Sequence, residues 1–201
     1  MKLKKLLALT AVLIVILIAS FVKKANDEKD TVKQRQTQPL AAITQDIATA
    51  FVTKIVITPA GADKASKLIL SKDASGDWVI ESRYNTKARK WAVDNLLGNM
   101  ANLKGEPAGE SKEVLNDFSI LDDQGIHLEL KGSGEKALAH VVVSPLRTRG
   151  TKNFVRSADS HKVVMTESDL LSNLGLYTKD AKIDYKTFAE LRIARFDTAK
   201  V

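Results

Sequence analysis

The chain has no cysteine, which excludes disulfides, thiolate zinc sites, cysteine nucleophiles and a lipidated N-terminal cysteine. Its redox compartment stays open, because a domain of this size does not need disulfides to fold. Aromatic residues make up only 5% of the chain, so a core must be mainly aliphatic. Catalytic signatures are missing too. No G-x-S-x-G elbow is present, and no HExxH-like spacing joins His127, His140 and His161, the only histidines, as convergent metal ligands would require. "GSGEK" at 132–136 lacks the Walker spacing and lies between two strand patterns, so it reads as a hairpin turn. "LDDQG" sets Asp122 beside Asp123 without the alternation of a calcium loop, and also reads as a turn. With no acid, base or nucleophile constellation, the reading is a non-enzymatic protein with no cofactor and no metal.

What is present in excess is positive charge, +7 net over 201 residues. Lys2, Lys4, Lys5, Lys23 and Lys24 supply five of those charges and leave +2 for the rest. A phosphate-backbone binder concentrates its Lys and Arg on the folded part, so nucleic acid is not the expected partner. The five lysines flank "LLALTAVLIVILIASFV", Leu6 to Val22, 17 residues without a charge. As a helix this block is about 25 Å long at roughly 1.5 Å per residue, the lower limit for a membrane span. It is longer than a signal-peptide core, and its exit, "ASFVKK", is a poor cleavage site. The expectation is a retained single-pass anchor. The lysines ahead of the block place the N-terminus in the cytoplasm and the bulk of the chain outside it.

After the anchor, "KKANDEKDTVKQRQTQP" is polar throughout and cannot bury enough surface to order itself. As a flexible tether it spans roughly 20–25 Å. Beyond it the period changes to that of strands. "TKIVIT", "KLILSK" and "WVIE" are separated by turn signals and read as a meander. Val93, Leu96, Leu97, Met100 and Leu103 recur at helical spacing, with Asn85 or Thr86 as the expected cap and Gly105 as the expected stop. "SKEVLNDF" reads as a short helix capped by Ser111. "GIHLELK" points Ile126, Leu128 and Leu130 inward and His127, Glu129 and Lys131 outward. "ALAHVVV" follows, then the pair "NFVRS" and "HKVVM", then a short helix with Leu170, Leu171 and Leu174 stopped by Gly175. The fold class is α+β: an N-terminal transmembrane helix followed by a mostly antiparallel β-meander domain with two or three short helices. The expected segments are a cytoplasmic stretch at 1–5, the span at 6–22, a linker at 23–42, the domain at 43–177 and a tail at 178–201.

One patch stands out as a contact surface. "SPLRTRGTKNFVR" gathers Arg147, Arg149, Lys152 and Arg156 in and after a loop between strands. These side chains suit an acidic protein surface, lipid headgroups or a polyanionic wall component; a solvated basic loop is the plain alternative.

Taken in order, "VTKIVI", "GDWVIE", "VDNLLGNMANLKGE", "VLNDFSILDDQGIHLELK", "KNFVRSADSHKVVM", "SDLLSNLGL" and "ELRIARFDTAKV" resemble the domain-of-unknown-function 4340 family, from Thr53 to Val201. Its members are bacterial envelope proteins with an N-terminal membrane helix and one or two copies of a β-rich α+β unit. The resemblance implies an accessory or adaptor role beside integral-membrane subunits of ABC-type exporters, including systems linked to gliding motility, at the bacterial inner membrane. It brings no catalytic residues. The alternative is an extracytoplasmic binding module for a glycan or lipid. "FDTAKV" at the close echoes "FVTKIVI" at Phe51, so the expectation is that the chain stops at a repeat boundary, where a second unit begins in longer members.

Overall fold

The computed structural model describes Ser20 and residues 39–61, 67–146, 152–177 and 182–190. The expected span at 6–22 lies outside these residues apart from Ser20, as does the linker apart from 39–42, and so does the C-terminal "FDTAKV". Among the described residues no helix is long and apolar enough to cross a membrane. Backbone packing divides the chain into two units at Pro39/Leu40, and the elements below belong to the second.

Alternation decides the strands. In β2 (Lys54–Thr58) Ile55 and Ile57 are fully buried, with Val56 covered on the other face, in β3 (Leu68–Lys72) Leu68 and Leu70 are buried, and in β4 (Trp78–Ile80) both ends. β7 (Ile126–Lys131) buries Ile126, Leu128 and Leu130, as its period of two requires. With β1 (Ala41–Ala42), β5 (Thr86–Lys87), β6 (Lys104–Gly109), β8 (Ala137–Val143), β9 (Asn153–Ser157) and β10 (Val163–Thr166), the described residues form one antiparallel sheet. Its order is β1-β6-β10-β9-β8-β7-β2-β3-β4-β5. Two meanders, β2–β5 and β7–β10, are therefore joined back to back by the β2–β7 pair. Register aligns the apolar columns: Ile57 faces Leu68 and Leu128, Leu128 faces Val141, and Val143 faces Val155, which faces Val164. The core is aliphatic as expected, with Trp78 and Phe188 as its buried aromatics.

Helix α1 (Lys90–Ala101) lays Ala92, Val93, Leu96, Leu97 and Met100 on this face. Its start is not capped by Asn85 or Thr86. Thr86 is in β5, and the N-cap is Arg89, whose side chain makes no capping bond. The Arg89 amide donates instead to the Phe188 carbonyl at 2.6 Å. The far end is closed by the segment after β1: the Thr44 hydroxyl donates to the Met100 carbonyl at 2.6 Å and accepts from the Leu103 amide at 2.8 Å. The folded unit thus extends beyond 43–177 on both sides. Ala41 and Ala42 pair with β6, while Phe188 and Ala189 are fully buried, the latter bridged to Ala88.

The α1 crossover constrains the sheet. It carries the chain from β5 at one edge to β6 near the other. Laid flat at about 4.8 Å per strand, those strands would stand roughly 38 Å apart. The 12-residue helix reaches only about 18 Å, so on a flat sheet the two linking residues on either side would have to be almost fully extended to span the remaining distance of roughly 20 Å. A curled sheet removes that demand, and α1 packs against α3 (Leu170–Asn173).

The opposite face is half covered. Helix α2 (Lys112–Asp117), capped by Ser111 as expected, packs Leu115 with Ile120, Val142 and Val163 into a second, smaller core, and Phe118 stacks on Phe154 at 3.9 Å between centroids.

Two glycines separate the constraints. Gly105 does not stop α1; it sits in β6 where a Cβ would meet the Met165 carbonyl at 2.4 Å. Gly98, on the outer side of α1, has nothing within 4 Å of an added Cβ. In urea unfolding, Gly105→Ala is expected to lower stability by about 2–3 kcal/mol, and Gly98→Ala to raise it by about 1 kcal/mol through helix propensity.

Candidate functional site

The outward residues of β7 build the polar cluster. Glu129 faces His140 on β8, and His127 faces Val142, so His127 and His140 are diagonal neighbours on one sheet face, within reach of each other's rings. His127 Nδ1 lies 2.9 Å from His140 Nε2, and His127 Nε2 lies 2.7 Å from the Asp122 carbonyl oxygen. A carbonyl only accepts, so His127 carries its proton on Nε2. Its Nδ1 is then the acceptor, and His140 donates from Nε2. These two bonds together assign both tautomers.

Arg156 comes from the next strand, facing Val142, and only 3% of it is exposed. Its Nε donates to the Ile120 carbonyl at 2.8 Å. One terminal nitrogen donates to the carbonyls of Ser157, Ala158 and Ser160 at 3.1, 3.0 and 3.3 Å, and the other to the Asp122 carboxylate. Asp122 is thus held twice, by its carbonyl and by its carboxylate, and the 121–125 turn is fastened to the sheet. Gly125 lets the turn lie close, since a Cβ there would stand 2.2 Å from Val142 Cγ1.

Beside the cluster a groove of about 450 Å³ is lined by Thr58, Pro59, Gly61, Lys67, Asp122, Asp123, His127 and Glu129. The Gly61 amide closes one side by donating to the Asp123 carbonyl at 3.0 Å. Carboxylates outnumber cations along this lining. Burial pushes the His140 imidazole below its usual range, against the pull of the Glu129 carboxylate. A hydrogen bond from the Ser157 hydroxyl holds the Asp159 carboxyl below its own. Among the described residues no set of three His, Asp or Glu side chains is placed to hold a metal ion.

Of the expected basic patch, Lys152 and Arg156 are among the described residues. Arg147 and Arg149 lie outside the described residues. Lys152, just before β9, bridges Glu106 at 3.6 Å and Glu167 at 3.5 Å. Arg156, read from sequence as a surface contact, is buried and bonded to the protein's own backbone; alternation puts it on the face that carries Phe154 and Val142, under the 121–125 turn. The histidine pair escaped the sequence reading because no linear spacing joins its members, and only the β7–β8 register does.

No family model matches the chain, and neither does any curated protein or solved structure. The site is therefore argued from its own geometry.

That geometry separates two roles. Removing Arg156 strips donors from carbonyls at a buried position, whereas the Asp122 carboxylate is 80% exposed and screened by solvent. In denaturant unfolding followed by Trp78 and Trp91 fluorescence, Arg156→Ala is expected to lose about 3 kcal/mol, and Asp122→Asn no more than about 1 kcal/mol.

Proposed function

We propose that the chain is a single-pass protein of the bacterial inner membrane, N-terminus inside, whose extracytoplasmic domain is a non-enzymatic adaptor for an ABC-type transport assembly. The observation that carries this reading is the order of physical segments. Lysines, then 17 uncharged apolar residues, then a polar stretch lead into a folded unit that begins at Leu40. A module delivered to a membrane surface on a short tether acts on neighbours within the tether's reach of roughly 20–25 Å, and transporter subunits are neighbours of that kind. The transporter itself comes from the family resemblance, which also supports placing systems linked to gliding motility among the partners.

The polar cluster is consistent with a scaffold role: His127, His140, Asp122 and Arg156 bond to one another and to backbone. The reading as a glycan- or lipid-binding module leaned on four basic side chains, of which Lys152 is shared between two glutamates and Arg156 is buried.

Two measurements check this. Alkaline phosphatase fused after residue 190 is expected to be active, and fused after Lys5 inactive; the reverse pattern would invert the orientation. Affinity capture of the full chain from detergent-solubilised membranes is expected to enrich a transporter permease or ATPase subunit, and capture without either subunit removes the adaptor reading.

A further inference from the structure

The histidine pair has a property that neither ring has alone. With both rings neutral, one proton lies between His140 Nε2 and His127 Nδ1, and the contact is a hydrogen bond at 2.9 Å. One added proton is also accommodated: His127 then donates from Nδ1, and His140 accepts on Nε2 with its own proton moved to Nδ1. A second added proton is not. Each ring would then present an N–H to the other at hydrogen-bond distance, with two like charges in contact and no acceptor between them. The pair has to part.

We propose that this pair is an acid-sensitive latch, and that its second protonation releases the 121–125 turn from the sheet. His127 is the piece that couples the two events, because one of its nitrogens holds His140 and the other holds the Asp122 carbonyl. When the ring swings away from His140 the carbonyl loses its donor, and the turn is left on the Arg156–Asp122 contact, whose carboxylate is 80% exposed, and on the bond from the Gly61 amide to the Asp123 carbonyl at the edge of the groove. The turn also forms one wall of the groove next to Thr58, Lys67 and Glu129, so its release opens that groove.

The surrounding charges set where this happens. Glu129, on β7 and opposite His140, favours protonation, as does the Asp122 carboxylate. Arg156 on β9 opposes it, and so does the burial of His140; Asp159, from the β9–β10 connection, faces His140 as an anion. Desolvation is the strongest influence on His140 and acts downward. The closed turn therefore binds fewer protons than the open one as pH falls below the ordinary histidine value of about 6.5. The closed form is fully favoured above that value and loses ground below it.

The absence of cysteine makes a single spin label straightforward. In the full chain in detergent micelles, Asp123→Cys carries a nitroxide on the exposed part of the turn. The expected result is an immobilised lineshape at pH 7.5 that becomes mobile with a midpoint below pH 6.5. The same label in a His140→Gln background should stay immobilised throughout, because a glutamine amide both donates to and accepts from His127. If His140→Gln is already mobile at pH 7.5, His127→Gln takes its place, since its amide supplies a donor for the Asp122 carbonyl and an acceptor for His140. A wild-type lineshape that does not change with pH overturns the latch. So does an acid transition that persists in the glutamine variants, or mobility of both variants at neutral pH.

Discussion

The β2–β7 pairing is the joint on which the rest of the structure depends. Each meander is a run of local hairpins, but among the described residues the two pair strand to strand only where Lys54–Thr58 runs antiparallel to His127–Lys131. That pairing sets Ile57 opposite Leu128 and Ile55 opposite Leu130, which makes one core face out of two. It also places Lys54 directly opposite Lys131, a like-charge pair that by itself destabilises a sheet. Glu135, in the short turn between β7 and β8, resolves the conflict by accepting from Lys54 at 2.7 Å and from Lys131 at 3.2 Å. Glu81 and Glu129 add longer contacts. The hydrogen bond to Glu135 is also the main reason that the Lys54 ammonium holds its proton beyond its usual range. A 3-10 turn that reads as a simple hairpin in sequence thus neutralises the central strand pair.

Once β7 is locked in place, its outward residues have no freedom of direction. Lys131 and Glu129 enter the charged ladder, and His127 falls at the end where the 121–125 turn arrives. The turn runs directly into β7 at Ile126, so its position over the sheet is largely set by where the strand starts. Arg156 gathers the carbonyls of two separate stretches, Ile120 before the turn and Ser157 at the end of β9 with Ala158 and Ser160 just after it. One guanidinium satisfies backbone groups that neither stretch could satisfy within itself.

How much of this was legible in the sequence depended on whether a signal was local. Alternation in "GIHLELK", the cap at Ser111 and the glycine at Gly175, with its φ of 75°, are contained in a few residues, and each appears where expected. The folded unit reaches past 43 and 177 because Ala41 and Ala42 pair with β6 and the Phe188 carbonyl accepts from the Arg89 amide at the start of α1, and no local pattern marks partners that lie more than fifty positions away. The histidine pair was hidden by register. Counting outward from the 132–136 turn gives the wrong partners, because the ladder shifts between Leu130 and Lys131. Arg156 was misjudged through its neighbours: Arg147, Arg149 and Lys152 made it look like part of a basic loop, while its place in "NFVRS" already put it on the face of Phe154.

The half-covered face explains why the polar cluster forms where it does. From β8 to β6 that face is roofed by α2 and the Phe118–Phe154 stack, so apolar side chains such as Val142 and Val163 suffice there. From β7 to β3 it carries charged side chains that meet water. The 121–125 turn lies at the border between the two regimes, and each side makes its own demand. Towards the roof, buried carbonyls require a donor, which Arg156 supplies. Towards water, the turn needs a polar grip that can tolerate partial solvation, which the histidine pair and the Asp122 carboxylate supply. A hydrophobic side chain at 127 would leave the Asp122 carbonyl without a donor, and a lysine there would bring a permanent charge against Arg156. Histidine meets the border's needs while neutral, and that same choice makes the grip depend on its protonation.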